Sequence, residues 1–175
     1  NGVTNFHFEV TADRMSDEEI ELLRKMRPGL IQLEIGVQST NPETLEAINR
    51  RTDMDRLRAV TEAIRQGENV HQHLDLIAGL PFEDINSFAN SFNEVYRMRP
   101  SQLQLGFLKV LKGSPIASQI IEFGLVYRDE PPYEVLQTDW LTYADIVRLK
   151  GIEEMVETYY NSHQFELTVE ALVRE

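Results

Sequence analysis

Strand-like apolar runs alternate with helix-like stretches along the first two thirds of this chain. The runs end near Glu9, Gln38, Ile77 and Leu108, at spacings of about 30 residues. Strands that alternate with helices form a parallel sheet, because a right-handed crossover packs each helix back onto it. The sequence therefore predicts an α/β fold. Periodicity alone leaves two architectures open, an open doubly wound sheet and a partial βα barrel.

Helix-start signals follow the strand-like runs. Ser16 opens a capping box, and the pairs Asn41-Pro42 and Ser114-Pro115 are typical of the first turn of a helix. Helices are predicted at about 17–26, from 42 onward, and at 54–66, 84–98 and 115–124. The predicted strands are 6–10, 30–37, 71–77 and 103–108.

The pattern changes from Leu125. Residues 127–133 are a polar connection with two prolines, and a helical stretch is predicted from Asp139 to Tyr160, with a last short helix from Glu166 to Val173. We therefore expect two parts, with the strand–helix units in residues 1–124 and a helical extension in residues 125–175.

The charge balance bears on partners. The chain has 17 Lys and Arg against 29 Asp and Glu, a formal net charge of −12. This excess argues against a nucleic-acid or anionic-membrane surface, because phosphate binding needs clustered cations. No apolar run approaches the length of about 18 residues that a membrane span requires. We expect a cytoplasmic protein that binds neither nucleic acid nor membranes.

Polar residues at the carboxyl ends of the strands are the candidate site, because parallel α/β folds bind ligands there. Glu9 and Gln38 suit the hydroxyls of a ribose. Asp75 lies in an apolar run, and a buried Asp almost always has a cationic or multi-donor partner, for which Arg50 and Arg51 are candidates. The alternative is that each of these residues only caps a helix or bonds a loop.

Several other kinds of site find less support. The pair His71-x-His73 is the only metal-ligand spacing, so a metal-dependent barrel hydrolase is a weak alternative, and we expect no zinc. The chain lacks G-x-G-x-x-G, P-loop and G-x-S-x-G sequences, which leaves dinucleotide, nucleotide-triphosphate and hydrolase interpretations without their usual motifs.

Four stretches of the sequence resemble the radical S-adenosylmethionine (SAM) enzymes. Residues 33–50, with Gly-Val-Gln-Ser followed by Asn-Arg, and residues 73–81 resemble the branch shared with oxygen-independent coproporphyrinogen III oxidase, as does the strand at 6–10. Residues 105–115 resemble the cobalamin-associated branch, which includes the anaerobic magnesium-protoporphyrin IX monomethyl ester oxidative cyclase. The resemblance covers about residues 4–124 and implies a TIM-barrel-like partial βα barrel.

The resemblance assigns roles to the candidate residues. It implies that Glu9 and Gln38 bind the SAM ribose, and that Arg50 and Asp75 flank the methionine and sulfonium region. A carboxylate there would offset the fixed positive charge of the sulfonium. The resemblance places the remaining three candidates against the adenine: Gly79, Leu80 and Pro81.

Radical SAM enzymes hold a [4Fe–4S] cluster with three Cys of a C-x-x-x-C-x-x-C loop, and this chain has no Cys. We therefore expect the carboxyl-terminal part of such a barrel, strands three to six of six, inactive alone. The implied parent is an Fe–S oxidoreductase or a methyltransferase acting on a small molecule, and the resemblance allows cobalamin on an upstream domain.

Two further expectations concern association. The strand Phe6–Val10 would lack a neighbour, so we expect a homodimer or edge-to-edge pairing in a crystal that covers it. A non-catalytic half-barrel module that binds a small ligand or a protein partner is the alternative to the enzyme.

Overall fold

The computed structural model describes residues 3–174, and its elements follow the predicted alternation. Four parallel strands form one sheet, in the order β1-β2-β3-β4. Their bounds match the predicted strands within one residue: β1 Phe6–Val10, β2 Ile31–Gln38, β3 His71–Ala78 and β4 Gln102–Phe107.

Helices connect these strands and continue into the tail. The first begins at the predicted capping box, in which the hydroxyl of Ser16 accepts from the backbone N–H of Glu19 at 3.2 Å. The helices are α1 Asp17–Arg24, α2 Pro42–Ala47, α3 Met54–Arg65, α4 Ile85–Arg97, α5 Tyr143–Met155 and α6 Glu166–Arg174. None of the helices within residues 3–174 is long and apolar enough to cross a membrane.

The two faces of the sheet differ in chemistry. Along β2, Ile31, Leu33, Ile35 and Val37 are buried in the core, and the alternate residues are only partly buried. The strand order is sequential throughout, so right-handed crossovers place the helices on one face. A doubly wound sheet reverses its order to place helices on both faces, and this sheet does not. The architecture is therefore the partial-barrel one, with an open polar face.

The predicted helix at 115–124 is wrong. Only a short 3₁₀ turn, Pro115–Ser118, forms there. Phe123 is buried beside Phe82 and Trp140, with ring centroids 5.9 and 6.0 Å away. Tertiary packing of this aromatic side chain therefore overrides the local helix signal.

The polar connection after Leu125 contains a hairpin that the sequence did not predict. Strands β5 (Val126–Tyr127) and β6 (Val135–Gln137) pair antiparallel, and each is too short to carry a periodic pattern. The hairpin joins the sheet beyond the end of β4, where the N–H of Val135 donates to the carbonyl of Leu108 at 2.8 Å.

The tail also covers the outer edge of β4. Helix α5 begins one turn later than predicted and continues as a π-helical turn, Val156–Asn161. The Asn161 amide accepts from the N–H of Leu103 at 3.0 Å and donates to its carbonyl at 2.9 Å. This side chain takes the place of a neighbouring strand, so within the described residues β1 is the exposed edge of the sheet.

Candidate functional site

The open face of the sheet is polar on all four strands. Register pairs His7 with Gln32, Glu9 with Glu34, and Gly36 with Asp75, so alternate residues of neighbouring strands meet on this face. Its polar side chains are His7, Glu9, Gln32, Glu34, Gln38, His71, His73, Asp75, Gln102 and Gln104.

A cleft of about 350 Å³ lies at the carboxyl ends of β1, β2 and β3. Four sequence-predicted site residues line it: Glu9, Gln38, Arg50 and Asp75. The structure therefore brings together residues that are up to 66 positions apart in the sequence. Its volume is at the lower end of the range for small-molecule sites, so it suits part of a nucleoside-sized ligand.

Arg50 reaches the cleft because helix α2 is short. Asn49 turns the chain with a left-handed φ of 55°, and the N–H of Arg50 donates to the carbonyl of Leu45 at 2.8 Å. One guanidinium nitrogen, Nη2, then donates to the carbonyl of Gly36 on β2. The Nε of Arg50 is buried without a hydrogen-bond partner. Burial lowers the pKa of this guanidinium, and Asp13 opposes that shift.

Gly36 forms the floor of the cleft. A Cβ at this position would run into Nε2 of Gln38 and would lie 3.8 Å from Nη2 of Arg50. The absence of a side chain therefore lets the Gln38 and Arg50 side chains meet over the backbone of β2.

The expected pairing of Asp75 with an arginine is wrong. Its neighbours are Glu34, with which it shares a hydrogen bond, and His73, whose Nε2 lies 3.2 Å from Oδ1 of Asp75 without hydrogen-bond geometry. Burial, and next the negative charges of Glu34 and Glu9, raise the pKa of Asp75 to about 7. Asp75 therefore keeps its proton to a higher pH than an exposed aspartate does.

Sequence reasoning did not include Glu34 in the site, gave His7 no role, and considered His73 only as a metal ligand. Nε2 of His7 lies 2.9 Å from Oε2 of Glu34. Burial lowers the pKa of His73, and the charge of Glu34 opposes that shift. The alternation of β2 contained the signal, because Glu34 occupies the same face as Gln38 in a strand whose other face is apolar.

The turn Gly79-Leu80-Pro81 lies apart from the cleft. All three residues are buried, and none of them lines it. The turn packs under the tail hairpin, where a Cβ on Gly79 would meet Cγ1 of Val135 at 2.6 Å. The adenine role of this turn stays a prediction.

Two other features of the molecule bear on where the site lies. Within residues 3–174, no three His, Cys, Asp or Glu side chains are arranged to hold a metal ion. A second cavity, of about 330 Å³, lies between α4 and α6 and is lined by Tyr96, Arg99 and His163 among others. It contains none of the strand-end residues, so the cleft remains the candidate site.

Two family models match the chain. The model of the radical SAM superfamily matches residues 1–95, more than half of the chain. The chain belongs to the radical SAM superfamily. The tail of this radical SAM chain matches a second model, described as a protein of unknown function (DUF4080), over residues 121–175.

Curated relatives agree with this assignment. The radical SAM chain is 34% identical over 84 residues to the oxygen-independent coproporphyrinogen III oxidase of Pseudomonas aeruginosa, covering 48% of this chain and 18% of that protein. It is 32% identical over 107 residues to the Escherichia coli enzyme of the same name, covering 58% of this chain and 23% of that protein. The chain thus spans about a fifth of the length of these relatives.

Solved structures share the fold. Coproporphyrinogen III oxidase (HemN) from Escherichia coli has a TM-score of 0.62 at 22% identity, over 86% of this chain and 32% of that one. A second solved structure is the radical SAM methyltransferase TsrM from Kitasatospora setae, with cobalamin and a [4Fe-4S] cluster bound. It has a TM-score of 0.59 at 12% identity, over 78% of this chain and 27% of that one. Both likenesses support the TIM-barrel-like architecture.

Proposed function

We propose that the cleft binds SAM, with Glu9 and Gln38 on the ribose hydroxyls and with Arg50 and Asp75 beside the methionine and sulfonium region. The observation that carries this proposal is the convergence of these four side chains on one cleft at the strand ends. The unpartnered Nε of Arg50 suits a ligand carboxylate. The Asp75–Glu34 pair suits a ligand cation, which would stabilise its ionised form.

The parent reaction is proposed at the level of class. We infer a radical SAM oxidoreductase, because the curated relatives are oxygen-independent coproporphyrinogen III oxidases. A location in the cytoplasm remains a proposal from the sequence. A cobalamin-dependent methyltransferase is the second candidate, which the fold likeness to TsrM favours. An oxidative-cyclase-like parent and a small-molecule substrate remain proposals from the sequence resemblance.

The proposal of SAM binding is tested by titrating the chain with SAM and following backbone amide resonances. Gln38→Ala should weaken binding by about fivefold to tenfold, the effect of one or two lost hydrogen bonds. The matched control is Gln32→Ala, on the same strand and face but outside the lining of the cleft. Equal affinities for the Gln38 and Gln32 variants would contradict the proposal.

The residues of this chain do not fit a [4Fe–4S] cluster. The chain has no Cys and therefore no thiolate ligand. Anaerobic reconstitution with iron and sulfide should leave it without bound iron, and incubation with SAM and a reductant should release no 5′-deoxyadenosine. Iron analysis is the measurement, and about four irons per chain would refute the expectation.

We also propose that the β1 edge pairs with a second copy of the chain. Phe6 and Phe8 are half exposed on this edge strand, with ring centroids 6.3 Å apart. Unpaired strand edges with apolar side chains associate. Light scattering at high concentration should detect dimers, which Phe8→Lys should abolish and Leu22→Lys, at an exposed position on α1, should retain. A monomeric wild-type chain would exclude this pairing.

A further inference from the structure

Glu83 is a buried acid for which the SAM site has no role. It follows the Gly79–Pro81 turn and is 0% exposed. Its Oε1 accepts hydrogen bonds from the hydroxyls of Ser39 at 2.6 Å and Ser91 at 2.8 Å. Its Oε2 is buried without a partner. A buried carboxyl with one unsatisfied oxygen is costly, so its position calls for a reason beyond packing.

Gln38 has a strained backbone. Its φ is +71°, and the N–H of Ser39 donates to the carbonyl of Val37 at 3.0 Å, two residues back. These are the features of a γ-turn with positive φ, which is rare and strained. The register between β2 and β3 shifts at the same place, between Gly36 and Gln38. Such a conformation persists only where surrounding contacts hold it.

The contacts that hold this turn converge on Glu83. Ser39, directly after Gln38, is 0% exposed, and its hydroxyl donates to Glu83 and accepts from the N–H of Asn41 at 3.0 Å. The N–H of Thr40 donates to the hydroxyl of Ser91 at 3.1 Å. Glu83, which precedes α4, therefore holds the residues after Gln38 in place through hydrogen bonds. Ser39 and Glu83 are 44 positions apart in the sequence.

We propose that Glu83 is a positioning residue, which holds Gln38 in its γ-turn so that the amide of Gln38 meets the ribose hydroxyls of the ligand. This inference rests on the proposed binding of SAM. Burial raises the pKa of Glu83, although the two serine hydroxyls oppose the shift. A glutamine has nearly the same shape as Glu83 and keeps an acceptor oxygen for the hydroxyls of Ser39 and Ser91.

The experiment measures selectivity for the ribose diol. The probes are adenosine and 2′,3′-dideoxyadenosine, titrated into the chain with amide resonances as the signal. The wild type should prefer adenosine by about tenfold, through Glu9 and Gln38 together, and Gln38→Ala should reduce this ratio to about threefold, the part that Glu9 retains. Glu83→Ala should do the same, and the Glu83→Ala/Gln38→Ala double variant should lose no more than Gln38→Ala alone.

Two further variants distinguish the positioning of Gln38 from a general loss of structure. Glu83→Gln should restore the preference for the diol, because its carbonyl oxygen accepts from both serines. Ser39→Ala removes one hydroxyl with little change in volume, and should reduce the preference as far as Gln38→Ala does, even where Glu83→Ala fails to fold. The matched control is Thr61→Val, which removes another buried hydroxyl, bonded within α3 to the carbonyl of Leu57 at 3.0 Å.

The outcomes separate the two proposals. A wild-type chain that binds both nucleosides equally, or neither, overturns ribose binding by Gln38 and the role of Glu83 with it. A wild-type preference that Gln38→Ala reduces, but that Ser39→Ala and Glu83→Ala leave unchanged, overturns only the positioning role. A preference reduced in Ser39→Ala and kept in Glu83→Gln and Thr61→Val supports it.

Discussion

Asp75→Asn should remove the pH dependence that Asp75 gives to the free energy of unfolding between about pH 4 and pH 8. The folded-state pKa of about 7 lies above the ordinary value of 3.8. The folded chain therefore binds this proton more tightly than the unfolded chain. The stability contributed by the group is fully present below pH 4, and it is lost as the pH rises through 7.

At pH 8 the variant should exceed the wild type by about 1–2 kcal/mol in free energy of unfolding, less than the full pKa shift implies because part of the Asp75 side chain is exposed to solvent. At pH 4 the two proteins should agree. The physical reason is that Asn cannot ionise beside Glu34 and Glu9. Urea unfolding across this pH range is the measurement.

The control for this prediction is Asp129→Asn, at an exposed position in the turn before β6. It should leave the pH profile of the wild type unchanged. A parallel offset of the Asp75→Asn profile at all pH values would show that lost packing, and not ionisation, controls the effect.

Gly79→Ala should destabilise the chain by about 2–4 kcal/mol, from two separate causes. Gly79 has a φ of +90°, which an alanine rarely adopts. The new Cβ would also lie 2.6 Å from Cγ1 of Val135 on β6, so the tail hairpin must move away from the turn. Urea unfolding measures the loss.

Gly113→Ala is a matched control. Gly113 has a similar φ of +85°, but no atom lies within 4 Å of a Cβ built there. It should therefore cost only the backbone strain, about 1 kcal/mol. The difference between the two variants isolates the contact with the hairpin. Val135→Ala should recover part of the loss in the Gly79→Ala background, and strict additivity would contradict the steric cause.

The main elements of the sheet were predictable because their signals are local. The apolar alternation of β2 and the capping box at Ser16 each depend on neighbours in the sequence, and both are confirmed. The hairpin β5–β6 was not predictable, because strands of two and three residues have no period. Their stability comes from pairing with the backbone beyond β4.

The sequence by itself determined the α/β alternation and the candidate residues Glu9, Gln38, Arg50 and Asp75. Both follow from residue type and spacing along one chain, whereas the superfamily was indicated by resemblance to known members. Only the tertiary structure decided which charges surround Asp75 and what Glu83 contacts. The register between strands and the packing of α4 set those distances. Electrostatic and hydrogen-bond energies depend on separation in space, which linear spacing does not contain.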